Sequence, residues 1–594
     1  MQYIYTCVAF VLLAIGLSGV NADEEDRMVG NPLYINDIVV FQDNLLTAEK
    51  GSCSVCLYSL DGSRKLRSWN TDEPPTGVTS DGNKIYATTS SAIGGVEIID
   101  PDQPVPIKFI PTGRGACSPT LSIDNSKLYV CNQFQTTISE IDLATLQVTR
   151  EVKVLREPKG AIVTKDGKYL MVANFLPVGR ANQDYVSAAV SVIDLQTYNV
   201  IKNIPLATGS NALRGMAISP DGEYVFVTHN LGRFQIPTSQ LQQGWMNTSA
   251  MSIINVRNLE YESSILLDEP DRGAAGIWDV KCTNDEVIIS HSGTHEVSII
   301  DYREFCDRYK HVVDKSNLSY NLKFLVGLRQ RIALHGNGPR NFTINNEQLY
   351  VPTYFSDTLN IIDLDDPHRM HSVALVKDRK ESDIDKGEKY FNDASYCFQN
   401  WQSCNGCHPG DGRTDGLNWD NLNDGIGNAK NCKSMLYAHV TAPSMISGIR
   451  ESAEKAVRAG YKYIQFNEVP EDIAQCVDAY LKNLQPVPSP FLVDGQLSEK
   501  AKRGKLVYHK YKCDDCHGGQ YYTDCKRYVI GDDVEFEKGW DTPTLKEVWR
   551  TAPYLFDGRA ATMEEVFTVH KHGLKKKKIS SKEIEDLVEY VNSL

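Results

Sequence analysis

The feature that most constrains this chain is a pattern repeated between about residues 75 and 375. A small residue with Pro or Gly leads into an apolar strand, an Asp-Gly type of turn follows, and a second β-branched strand comes next. Clear copies run from Pro75 to Tyr86, from Pro158 to Val172 and from Gly215 to Val227, with turns at Asp81-Gly82, Asp166-Gly167 and Asp221-Gly222. Looser copies run from Ser118 to Cys131, Trp278 to Ser290 and Pro339 to Val351. Each copy closes on a further strand ending in Ile-Asp, as at Ile99-Asp100, Ile141-Asp142, Ile193-Asp194, Ile300-Asp301 and Ile362-Asp363. The Asp-Gly turn reverses the chain between alternating apolar strands, which makes a hairpin. One four-stranded unit every roughly 40 to 60 residues is propeller spacing, and counting from about residue 32 predicts about seven blades. The propeller is placed at residues 30–377.

Beyond the charged stretch Lys377-Asp378-Arg379-Lys380-Glu381 the periodicity turns helical. Two motifs appear there, Cys404-Asn405-Gly406-Cys407-His408 and Cys513-Asp514-Asp515-Cys516-His517. Two cysteines on one helical turn meet the vinyl groups of a haem, and the following His reaches its iron. Zinc is the competing reading of Cys-x-x-Cys, but no second ligand pair stands at zinc spacing. The surroundings of the motifs are duplicated as well. Gly387 to Phe391, Thr441 to Gly448 and Pro470 to Leu484 correspond to Gly504 to Tyr508, Thr551 to Gly558 and Ser581 to Leu594. The predicted fold class is therefore a multidomain chain, a β-propeller of about seven blades followed by two all-α cytochrome c domains at 383–487 and 494–594. Pro486-Val487-Pro488-Ser489-Pro490 is the stiff connector between them. The predicted cofactors are two covalently bound haem c groups, held by Cys404, Cys407, Cys513 and Cys516, with His408 and His517 on the irons. Calcium between the domains is a further candidate.

Composition bounds the partners. The net charge of −14 excludes nucleic acid, which needs clustered Lys and Arg. The one basic run, Lys575 to Lys578, reads as a solvated loop or as docking for an acidic redox partner. An apolar stretch from Cys7 to Leu17, with small residues at Val20 and Ala22, fits a signal peptide over residues 1–22, so a periplasmic or secreted protein is expected. No stable membrane span is expected. Ten cysteines remain outside the leader and the haem motifs. Disulfides suit an exported chain, with Cys117 and Cys131 flanking a strand pair and Cys397 and Cys432 bracketing the first motif. Cys53-Ser54-Val55-Cys56 is followed by Leu57 where a ligating His would stand, and reads as a local disulfide or as structural cysteines.

Two resemblances add to this. The repeats resemble the seven-bladed lactonase-like propellers of exported bacterial proteins. The segment Asp541 to Glu565, which contains Thr551-Ala552-Pro553 and Thr562-Met563-Glu564-Glu565, resembles the second haem domain of the di-haem cytochrome c peroxidases and of the related enzyme that matures methylamine dehydrogenase. That likeness spans about residues 383 to 594. It implies that the second haem transfers electrons and has its distal ligand at His570, with His572 close enough to compete. It implies that the first haem binds peroxide, reduced with electrons from a small redox protein or a quinol-linked donor. Three departures thin out the first site. No His precedes Asn428-Ala429-Lys430-Asn431, Ile446 stands where peroxidases place a Trp, and residues 458–470 are shorter than the family's Glu-bearing loop.

The remaining candidates are local. His439 is a distal ligand, an acid/base group or a structural His. Met445 is an iron ligand or core. Glu468 and Glu471 are acid/base candidates, Glu471 also as a carboxylate at a helix N-terminus. Trp419 and Trp549 assist electron transfer or pack against porphyrin and core. The leading functional reading is a peroxidase-like di-haem oxidoreductase. The alternative is a non-catalytic electron carrier with the propeller as docking scaffold. A third reading makes the propeller a hydrolase, with His229, His291 and His335 near strand ends.

Overall fold

The computed structural model describes residues 28–90, 93–235, 246–420, 429–529, 538–575 and 577–594. The expected signal peptide, the segment 421–428 and Lys576 of the basic run lie outside the described residues.

Seven antiparallel sheets follow one another from Ile35 to Ala374, six of four strands and one of five. The repeats foreseen in the sequence form the first two strands of successive blades, as in Pro75–Ser80 with Ile85–Thr89 and Pro158–Val163 with Tyr169–Asn174. The Ile-Asp strands are the third, for example Ala189–Asp194 and Glu296–Asp301. Middle strands are buried along almost their whole length, while outer ones such as Gln147–Lys153 alternate between half-buried and exposed. That is the burial gradient expected when sheets stack face to face. Ring closure uses the two ends of the propeller, because Met28–Val29 pairs in parallel with Val376–Lys377. Asp357 adds to it by accepting hydrogen bonds from the Leu33 and Tyr34 amides.

The remainder of the chain corrects the expectation of two all-α cytochrome c domains. Helix makes up only 19% of the described residues. The C-terminal part also contains the strand pairs Asn418–Trp419 with Lys430–Asn431, Leu492–Val493 with Gln496–Leu497, and Arg527–Tyr528 with Trp540–Asp541. Long irregular segments join them. The helical periodicity was confined to short segments, and the Gly-, Asn- and Asp-rich chain between them favours turns over helix. The internal duplication nevertheless recurs in the backbone. Helices Asp383–Asn392 and Glu471–Lys482 cross in the first unit, and Glu499–Lys510 and Ser581–Asn592 in the second. A glycine sits at each crossing. A Cβ on Gly387 would lie 1.9 Å from the Cys476 carbonyl oxygen, and one on Gly504 would lie 1.8 Å from that of Asp586. Both units have a cis Ala-Pro bond, at Pro443 and Pro553.

Both units sit on the face of the propeller where the first strand of each blade begins. A buried chain of charges crosses that contact. Arg413 of the first unit forks onto Glu547 of the second at 2.9 Å through both Nε and Nη2. Glu547 also meets Arg550, which forks onto Glu157 of the fourth blade at 3.0 and 3.1 Å. Burial opposes the charge on Arg550, but Glu157 and Glu547 outweigh it and hold the guanidinium protonated.

Among the described residues no disulfide joins the cysteines that the count suggested as pairs. Cys117 and Cys131 do face each other across paired strands. Cys432 instead donates from Sγ to the Cys407 carbonyl, 3.0 Å away, inside the first haem motif.

Candidate functional site

Each Cys-x-x-Cys-His segment forms one tight turn. The His408 amide donates to the Cys404 carbonyl at 3.0 Å, and that of His517 to Cys513 at 2.9 Å. This places both sulfurs and the imidazole of each motif together. His408 donates from Nδ1 to the Arg413 carbonyl at 3.1 Å, and His517 from Nδ1 to that of Tyr522 at 3.3 Å. A carbonyl only accepts, so Nδ1 holds the proton and the Nε2 lone pair is left for a metal. Burial pushes the His408 imidazole down to about 4 and lowers that of His517, so both stay neutral as a ligand must be.

In the second unit the structure separates the two distal candidates. His572 stands 6.1 Å from His517, centroid to centroid. Two imidazoles on opposite sides of one metal are about 6 Å apart, given metal–nitrogen bonds of about 2 Å. Burial, and then the neighbouring His517, lowers the His572 imidazole to about 4, and its Nδ1 is buried without a hydrogen-bond partner. His570 turns elsewhere, its Nε2 3.3 Å from the Arg559 carbonyl. The sequence favoured His570 by its offset from the Thr562-Met563-Glu564-Glu565 helix start. That helix ends at Thr568, and the turn after it brings the later His inward.

The first unit has no such imidazole pair among the described residues. His439, 2% exposed at its side chain, donates from Nε2 to Asp478 at 2.9 Å, and its Nδ1 is buried without a partner. Asp478 also pairs with Arg458, which pairs with Glu471 at the protein surface. A cleft of about 410 Å³, lined by Glu454, Arg458, Glu471 and Asp478, opens behind this network. Glu468 is tied to Lys462 with its side chain 74% exposed, so it does not reach the motif. Met445 holds φ +73 in a turn closed by Gly448, where Leu555 stands in the second unit. The carbonyl of Ile446 accepts from the Asp541 amide and so lies at the junction of the units. Trp419 packs with Cys407 and Cys432 and donates to Asp415 at 2.8 Å, whereas Trp549 meets Phe134 of the propeller edge-on.

Four groups at this site escaped the sequence reading. Asp415 is fully buried, and burial pushes its carboxyl up to about 7. Its only signal was a carboxylate seven residues past a motif His. Tyr461 is buried beside Cys404 with its hydroxyl unpartnered. The propeller supplies Asn247, which donates to the Cys407 sulfur at 3.1 Å. Gln465 does the same for Cys404 at 3.2 Å.

A donor set of two thiols and one imidazole per motif, with buried polar atoms left unpartnered around it, fits a covalently held haem at both places. Among the described residues no three His, Cys, Asp or Glu side chains converge as an all-protein metal site, and none marks a place for calcium. The histidines named for a hydrolytic propeller do not gather. His229 bonds Asn230 and Ser252, and His291 bonds Ala274 and Ser298, each fully buried within its own blade.

Comparison with known proteins points in one direction. Over 271 residues the chain is 26% identical to the gamma subunit of hydrazine synthase from Kuenenia stuttgartiensis, covering 35% of this chain and 76% of that subunit. Over 212 residues it is 24% identical to the beta subunit of the same enzyme, covering 34% of this chain and 53% of that one. The chain is similar to two hydrazine synthase subunits. It spans about half the length of the beta subunit. A solved chain of Kuenenia stuttgartiensis hydrazine synthase superposes with a TM-score of 0.51 at 20% identity, over 59% of this chain and 99% of that one, which shows the fold. No family model matches. The likeness found is thus to hydrazine synthase subunits, and the peroxidase resemblance of residues 541–565 gains nothing from it.

Proposed function

We propose that this chain is a redox protein carrying two covalently bound haem c groups, and that it works in an assembly of the hydrazine synthase kind on a small nitrogen compound. The observation that carries this reading is the 6.1 Å separation of the His517 and His572 rings, in the unit of Cys513 and Cys516. Likeness to two subunits of hydrazine synthase supports the substrate class. When bound, haem supplies one-electron exchange at both places and, at the first, a position for a small ligand.

The chain's own residues divide the work. His517 and His572 would hold the second group, and two imidazoles would lower its potential relative to His with Met. Cys404, Cys407 and His408 would hold the first. Asp478 orients His439 through Nε2, and the Nδ1 of His439 is buried without a partner. Leu417 and Trp419, both buried, keep water from the side of Cys407. Peroxide reduction is the second reading, favoured by the same buried His439–Asp478 pair, which would serve O–O cleavage as well. Export from the cytoplasm and docking to a small redox protein belong to the same proposal, as does contact with further subunits.

Reductive titration followed by mixing tests the reading. The reduced holoprotein is expected to titrate in two steps and to be reoxidised by hydroxylamine faster than by hydrogen peroxide. Faster reoxidation by peroxide would transfer the case to the second reading, and inertness to both would leave only an electron carrier.

A further inference from the structure

The central channel of the propeller opens beneath the first motif, and its mouth is ringed by alternating aromatic and cationic side chains. Arg214 stacks between Phe175 and Trp278, with its guanidinium carbon 5.1 and 4.0 Å from the ring centroids. Arg340 stacks between Trp278 and Tyr354, at 4.3 and 3.3 Å. Lys159 faces Phe175 from the fourth blade, and Lys50 arrives from the first. Arg214 is 9% exposed and Arg340 8%, and among the described residues neither makes an ion pair or a side-chain hydrogen bond. The Nε of Arg340 is buried with no partner. Burial, and then the like charge of Arg340, pushes the Arg214 guanidinium down to about 9.

Two carboxylates face these four cations. Asp411, three residues after His408, holds φ +63 and feels Lys50, Arg413 and Arg340, yet no ion pair closes between it and any member of the ring. Glu388 touches the Tyr354 hydroxyl at 3.5 Å. Lys50 and Asp411 are exposed to solvent, whereas Arg214 and Arg340 are nearly buried. Arg413 and Arg550 lie nearby but are already satisfied by Glu547 and Glu157. The ring therefore keeps two uncompensated positive charges. Burying cations without partners is costly, and stacking on aromatic faces offsets only part of that cost.

We propose that this cluster of cations is a binding site for a small inorganic oxyanion, held by Arg214, Arg340, Lys50 and Lys159 opposite Asp411. Aromatic stacking fixes each guanidinium plane and leaves its N–H edge to donate, the geometry that suits a planar or tetrahedral oxyanion. The site lies outside both haem motifs. It gives the propeller a role of its own, which stands whether or not the reading under Proposed function holds.

The test is calorimetric titration of the full haem-loaded protein with inorganic phosphate, in buffer free of other oxyanions. One site per chain is expected. Arg340→Gln and Lys50→Gln should each weaken it by about tenfold or more, the size of a lost charge-assisted hydrogen bond. Asp411→Asn, which suits the left-handed backbone there, should tighten binding by removing the competing carboxylate. The haem absorption of all three variants should match the parent. Absence of phosphate binding, or equal affinity in Arg340→Gln, Lys50→Gln and the parent, would overturn the proposal. It would equally be overturned if the parent bound no phosphate while Arg340→Gln shifted the haem absorption, since the cations would then serve the haem carboxylates.

Discussion

At the residue scale, the chain spends its histidines in two ways that spacing alone did not separate. His229 and His291 are core groups, fully buried and hydrogen-bonded within their blades. Burial pushes them down to about 4 and about 3, against an ordinary value of 6.5. A depressed folded-state pKa means that the unfolded chain binds the proton first. The stability they contribute is thus complete above pH 6.5 and is lost as pH falls toward 4. Each should cost about 2 kcal/mol between pH 7 and pH 5, from about 1.4 kcal/mol per pKa unit. Denaturant unfolding at the two pH values measures this, and His229→Gln should flatten the dependence; an equal slope in parent and variant would refute the assignment. Burial lowers His517 and His572 as well, but their rings stand 6.1 Å apart. The tight Cys-x-x-Cys-His turns were legible because the motif fixes which residue follows. The approach of His572 to His517 was not, because the turn after Thr568 decides which of two nearby imidazoles points inward.

At the element scale, what the sequence showed best was the hairpin repeat. An Asp-Gly turn between apolar strands leaves few alternatives, and all six quoted copies became paired strands of the ring. The all-α expectation failed for the converse reason. Amphipathic helices such as Ser581–Asn592, with its Ser580 and Glu583 capping box, announced themselves, but the unpatterned chain between them did not reveal its short strand pairs. The duplicated glycines carry a prediction at this scale. At Gly504 an added methyl would meet the Asp586 carbonyl at 1.8 Å, so the helices Glu499–Lys510 and Ser581–Asn592 would have to part. Gly504→Ala should cost about 3 kcal/mol, the upper end for overpacking. Thermal unfolding checks it, and a midpoint equal to the parent's would show that the crossing can relax.

For the molecule as a whole, the propeller and the two haem-motif units form one buried contact rather than separate beads. The Arg413–Glu547–Arg550–Glu157 chain joins all three parts, and its first member lends its carbonyl to His408. None of this was visible in sequence, because each partner comes from a distant segment with no local pattern. The same holds for the basic ring at the channel mouth, whose members are separated by about one blade or more. Net charge, strongly negative, even pointed away from it. The central claim is that the second motif holds its haem between His517 and His572 while the first lacks such a pair. Electron paramagnetic resonance of the ferric protein tests it most directly. The account predicts one low-spin signal that is lost in His572→Ala and kept in His570→Ala, beside a signal from the first site that neither change alters. A low-spin signal that survives His572→Ala, or that disappears in His570→Ala, would contradict it.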